Sequence, residues 1–189
     1  MMTKPSFFTD QFLIAMPNLM DPNFFQSVTY ICQHNEYGAM GIIINQPIDL
    51  TVGELVTQVG LQHKDTIAMA QPVFRGGPVD VSSGFVIHRP VGNWKSTLDV
   101  NGNIAVSTSS DIIAALAEEE HGPMQYIVAL GYAGWGAGQL EAEMAQNAWL
   151  NGPANAQVIF ETRTDKRWEA AARLLGVDIN QLIGSAGHA

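Results

Sequence analysis

The sequence predicts an α+β domain in which a mixed, strongly twisted β-sheet is flanked by helices. Three observations lead there. Short apolar runs are joined by hairpin signals, above all Asn101-Gly102, the dipeptide that best fits a two-residue reverse turn. Between them lie segments of helical periodicity, at 111–120 and 165–175. Glycine (18) and proline (9) punctuate the whole 189-residue chain, with no repeat, low-complexity tract or linker. The expected unit is one domain over residues 1–189, with flexible tails at 1–10 and 184–189. Surface scaling has a chain of this size bury about 70% of its unfolded area, so it needs no staple.

The elements follow in order. Residues 12–15 read as a strand stopped by Pro17. Asp21-Pro22 is a helix start, with an oxygen for orphan N–H groups and a proline whose missing N–H is harmless, so 23–27 is expected to be one or two helical turns. Residues 28–34 form a strand that sets Val28, Tyr30, Cys32 and His34 on one face. Glu36-Tyr37-Gly38 turns it into an antiparallel partner at 40–45, ended by Pro47. Thr51 and Glu54 have capping-box spacing and open a helix that Gly60 closes. Short strands are expected at 73–75 and 84–88, and a hairpin at 97–100 and 103–107. Ser109 or Ser110 caps the helix at 111–120, and Gly122-Pro123 ends it. An apolar strand at 125–130 runs into a Gly-rich turn at 131–138, followed by a helix at 140–145, a strand at 157–160 and a helix capped by Thr164.

Charge excludes several functions. Nine basic against 18 acidic residues give a net charge of −9. No Lys or Arg occurs between Lys4 and Lys64, and none in the 67 residues between Lys95 and Arg163, which hold eight carboxylates. Affinity for DNA rests on clustered cations that neutralise phosphates, so direct nucleic-acid binding is disfavoured. No apolar run approaches the roughly 20 residues of a membrane span. The N-terminus lacks a signal-peptide pattern, and a single cysteine, Cys32, fits a reducing compartment. A cytoplasmic protein is expected, with no membrane contact, metal or cofactor.

Two segments carry candidate chemistry. In Gly131-Tyr132-Ala133-Gly134-Trp135-Gly136-Ala137-Gly138 a Gly-rich stretch leaves an apolar strand and enters a helix, the setting of phosphate loops. The spacing nevertheless fails both fingerprints: the third glycine of a dinucleotide site falls on Gln139, and a Walker lysine falls on Ala137. Either the glycines allow close packing around Tyr132 and Trp135, or the aromatics line a ligand groove. Arg75-Gly76-Gly77-Pro78 offers a backbone nest with a guanidinium fork for an anion; alternatively Arg75 pairs with a carboxylate and the glycines turn the chain. Cys32 and His34, two apart on one strand, form a conceivable thiolate–imidazole pair, against the plainer reading of an inert core thiol. His63, His88, His121 and His188 show no metal-ligand spacing, and no nucleophile elbow occurs.

Several stretches together resemble the YqgE/AlgH family of bacterial proteins. They are Phe12-Leu13-Ile14-Ala15-Met16-Pro17, Asp21-Pro22-Asn23-Phe24, Met40-Gly41-Ile42-Ile43-Ile44-Asn45-Gln46-Pro47, Phe74-Arg75-Gly76-Gly77-Pro78-Val79 and Leu130-Gly131-Tyr132-Ala133-Gly134-Trp135. The likeness runs in order over residues 12–182. It implies a cytosolic α+β protein whose twisted sheet curls into a partial barrel. It also implies a link to regulation of alginate exopolysaccharide production and description as a transcriptional regulator, without an established biochemical activity. The leading expectation is a non-enzymatic regulatory protein that binds a ligand or partner, with Asn45, Arg75, Gly76, Gly77, Gly131, Tyr132, Gly134 and Trp135 lining one groove. Two alternatives stand beside it: an enzyme in that groove, hydrolase-like or thiol-based through Cys32 and His34, and a protein whose motifs are structural and whose function lies on an oligomeric or partner surface.

Overall fold

Strand β9 (Gln125–Gly136) organises the molecule in the computed structural model, which describes residues 7–118 and 120–186. Its C-terminal half pairs antiparallel with β3 (Gly38–Ile43), from Gly38 opposite Gly136 to Gly41 opposite Ala133. Its N-terminal half pairs antiparallel with β6 (Val79–Arg89), and β5 (Pro72–Arg75) runs parallel to it at Phe74 and Ala129. Outward from β3 come β2 (Val28–Asn35), β1 (Gln11–Ala15) and β10 (Trp149–Pro153). Beyond β6 lie β8 (Ala105–Ser107) and β7 (Thr97–Asp99), while β4 (Pro47–Thr51) pairs with β5. The sheet curls into a half-barrel, and helices complete a mixed α+β fold.

Alternation along the strands divides the core. One face carries Phe12, Tyr30, Ile42, Phe85 and Ala129, which pack with Val158 of α4 (Ala156–Phe160) and with Trp168 and Ala171 of α5 (Arg167–Arg173). The other face holds two clusters. Val73, Val86 and Val128 lie under α1 (Val52–Gln58) and α2 (Ser110–Ala117) through Val56, Ile112 and Leu116. Leu13, Ile31, Ala133, Trp135 and Trp149 lie under Leu140 of α3 (Gln139–Ala145). No helix among the described residues is long and apolar enough to cross a membrane.

The Thr51 capping box forms as the spacing requires, its hydroxyl accepting from the Glu54 N–H and the Glu54 carboxylate from the Thr51 N–H. The Asn101-Gly102 hairpin joins β7 to β8. Three expectations are corrected. Residues 22–26 are turns rather than the helix expected at 23–27, because Asp21 Oδ1 accepts the Asn23 N–H at 2.9 Å and the segment is then fastened from outside by the Asn45 and Gln46 side chains. Residues 131–136 of the expected Gly-rich turn are the second half of β9, and only 137–138 turn: with β3 available as a partner, the backbone completes a ladder instead of looping. Residues 157–160 belong to α4, since Asn155 caps the Val158 N–H after Pro153 has closed β10. β4, β10 and α6 (Ile179–Ala186) were not foreseen. Of the tails, residues 7–10 are fixed by bonds such as Asp10 N–H to Ile31 O, whereas residues 1–6 and 187–189, His188 among them, lie outside the described residues.

Candidate functional site

Arg75 ends β5 half-buried, and its guanidinium meets amides rather than a carboxylate. Nη2 donates to Asn23 Oδ1 at 2.7 Å, and Nη1 approaches Gln46 Oε1 at 3.5 Å. Gln46 in turn donates to the Asn23 carbonyl, while Asn45 accepts from the Val28 N–H and donates to the Gln26 carbonyl. The Asn45-Gln46 pair and Arg75 therefore fasten the 21–26 loop to the sheet. The Gly76 N–H is already given to the Leu130 carbonyl at 2.8 Å, so it is not part of a free anion nest. A Cβ on Gly76 would sit 2.3 Å from Gly131 O, and one on Gly77 2.1 Å from the Tyr132 carbonyl carbon. These glycines let β5 and β9 touch.

Gly131 decides where the aromatics go. At φ +77° it adopts the left-handed conformation that costs a residue with a Cβ, and beside it the β6–β9 register shifts between Val79 and Gly84. The alternation of β9 changes phase there. Ala129 and Tyr132 both join the Phe85 face, the Tyr132 and Phe85 rings standing 5.5 Å apart. Trp135 joins the opposite cluster, its indole N–H donating to Glu143 at 2.5 Å. Phe24 stands 6.3 Å from Trp135 and 5.2 Å from Trp149, so the 21–26 loop links Trp135 to Arg75. The expected single groove is thus divided. Tyr132, Gly134 and Trp135 border an open depression with Met40 and Tyr37, and Asn45 borders a separate cleft.

The Cys32–His34 pair is a further correction. A β-bulge between Ile31 and Gln33 shifts the register of β2, which sends Cys32 into the Tyr30 cluster and His34 to the other side. Cys32 is buried, and burial pushes its thiol well above the ordinary range, the reverse of what a thiolate nucleophile requires. His34 Nδ1 accepts the Phe8 N–H at 2.9 Å, which puts its ring proton on Nε2, donated to the Glu141 carboxylate. Glu141 and Glu143, bonded to His34 and Trp135, are α3's grip on the sheet.

One arrangement resembles a catalytic pair. His88 Nε2 lies 2.7 Å from Ser107 Oγ, with Nδ1 held by the Pro90 carbonyl at 3.0 Å. Both residues are completely buried, and burial holds the imidazole pKa down despite the Pro90 bond, which raises it. A base and a hydroxyl that no substrate reaches form a core hydrogen-bond network. Among the described residues, no three His, Cys, Asp or Glu side chains gather as a metal-holding group.

Arg167, in the first turn of α5, is only 5% exposed. Its Nε donates to the Thr162 carbonyl at 3.1 Å, Nη1 donates to the Ile44 carbonyl, and the guanidinium carbon lies 5.1 Å from the centre of the Phe74 ring. Burial lowers its pKa to about 10. An arginine in the first turn of a helix usually reaches solvent, so no sequence signal marks this one.

The AlgH-like family matches residues 12–180, nearly the whole of this framework. The chain belongs to the AlgH-like family. A UPF0301 protein of Thioalkalivibrio sulfidiphilus is 56% identical over 188 residues, covering all of both chains. A UPF0301 protein of Vibrio vulnificus is 49% identical over 96% of this chain and 98% of its own. Among solved structures, the solution structure of the AlgH protein from Pseudomonas aeruginosa superposes with a TM-score of 0.78 at 42% identity, each chain fully covered. A Corynebacterium diphtheriae protein shares the fold at 20% identity and a TM-score of 0.73, over 96% of this chain and 94% of its own. The AlgH-like motifs now have physical roles: Asn45, Gln46 and Arg75 seat a loop, and Gly76, Gly77 and Gly131 let three strands meet.

Proposed function

We propose that this AlgH-like protein is a cytosolic, non-enzymatic regulatory protein that binds a small ligand or a protein partner and does not contact DNA itself. The observation that carries the reading is the state of its cations. In a chain with twice as many acidic as basic residues, the Arg75 and Arg167 guanidinium groups are held by amide and carbonyl oxygens, with no carboxylate partner among the described residues. Elsewhere Arg163 pairs with Asp165, Lys166 lies beside Glu169 and Arg89 covers the Phe160 ring, which leaves Lys64, Lys95 and Arg173 as the exposed cations without a salt bridge among the described residues. A duplex needs a row of free cations, whereas a small anion needs one fork in a partly dry setting. The sequestration of Cys32, His34 and His88 supports recognition over catalysis. Any effect on transcription then passes through the ligand or partner.

A mobility-shift titration with duplex DNA at low salt tests the first half of this. No salt-dependent complex is expected up to about 10 μM protein, where even non-specific binders at low salt form complexes. A shifted species whose affinity falls steeply with added salt would overturn the reading.

A further inference from the structure

We propose that the cleft closed by Arg167 binds a small organic monoanion with an apolar body, a carboxylate being the simplest head group. This rests on the ligand-binding reading above and adds to it a site and a ligand class. Arginine is almost never so deeply buried without an anionic partner, because taking the cation out of water is costly. Here two of its donors go to main-chain carbonyls, and Nη2 has no partner among the described residues. The Phe74 ring packs against the guanidinium and holds the fork in place.

The surroundings choose the side from which an anion enters. Arg167, Gln71 and Phe160 border two clefts. The larger, about 760 Å³, is also lined by Arg163, Glu161 and Asp165, with Arg163 paired to Asp165 at 3.1 Å; its two carboxylates offset its two guanidiniums, so it offers an anion no net attraction. The smaller, about 280 Å³, has Arg167 as its one charged lining residue and is otherwise walled by Phe74, Phe160, Val128, Tyr126 and neighbouring apolar and amide side chains. At its edge Ile67 and Met124 are each 85% exposed, apolar surface that an aliphatic or aromatic body would cover. The volume sits at the low end of small-molecule sites. A single fork suits a monoanion, whereas a phosphate dianion would ask for more donors than this wall supplies.

Isothermal titration of the full chain with phenylacetate, its neutral isostere phenylacetamide, and acetate tests the site. Phenylacetate is expected to saturate with a Kd of about 1 mM, and phenylacetamide and acetate to bind at least about tenfold more weakly. Arg167→Met should abolish the difference between acid and amide. Because that variant also loses two main-chain bonds, Ile67→Glu is the companion: its side chain is exposed, so the melting temperature should hold while phenylacetate binding weakens about fivefold or more through like-charge repulsion at the mouth. Equal binding of acid and amide, full affinity in Ile67→Glu, or no saturation by about 20 mM would each overturn the proposal. A metabolite that stabilises the protein equally with and without Arg167→Met would overturn this site while leaving the broader ligand-binding reading intact.

Discussion

His88 shows how burial sets the behaviour of a single residue. Its folded-state pKa is lowered by desolvation, so below the ordinary imidazole value near 6.5 the unfolded chain binds more protons than the folded one. The sign follows: this stability is complete above that value and is lost as pH falls towards the folded-state pKa. The urea midpoint of the wild type is expected to drop between about pH 7.5 and about pH 5.5, and that of His88→Gln, lower throughout, to drop less. Parallel profiles for the two proteins would contradict the assignment. Sequence marked His88 only as lacking metal-ligand spacing. Ser107, the partner of its Nε2, is brought to it by the pairing of β6 with β8, which no local pattern displays. The same holds for Arg167, whose bond to Ile44 spans 123 residues.

Elements were legible where the controlling chemistry is local. The Thr51 capping box, the Asn101-Gly102 hairpin and the start of β9 lie within a few residues of their signals. What was misread is decided across the sheet: 131–136 looks like a loop until β3 offers it a ladder, and the 21–26 segment looks like a helix until Asn45, Gln46 and Arg75 seize it. The bulge in β2 that separates Cys32 from His34 is likewise invisible without its partner strand. Gly131 is the test of this level. It combines φ +77° with a Cβ position 2.6 Å from Gly77 O, whereas Gly138, at φ +74°, faces open space. Gly131→Ala is expected to destabilise by about 3 kcal/mol, strain plus a backbone clash, and Gly138→Ala by about 1 kcal/mol, strain alone. Equal effects in denaturant melts would show that the phase change in β9 does not depend on close contact with the backbone of Gly77 and the start of β6.

For the whole molecule, scarcity of cations is the governing fact. A net charge of −9 turns the protein away from polyanions, and folding leaves two guanidiniums without carboxylates in separate places, Arg75 beneath the 21–26 loop and Arg167 at the head of an apolar cleft. The α+β class was legible from hairpins and helical periodicity and the partial barrel from the family resemblance, but the single groove was not: Tyr132, Gly134 and Trp135 border one depression, Asn45 borders another cleft, and Arg75 is engaged in seating the 21–26 loop. The most direct measurement is a thermal-melt screen of the full chain against a broad panel of small metabolites. The account predicts at least one anionic compound that raises the melting temperature with concentration, as RT ln(1 + [L]/Kd) requires, and whose effect disappears in Arg75→Gln or in Arg167→Met. No stabilising compound, or stabilisation that survives in both variants, would contradict it.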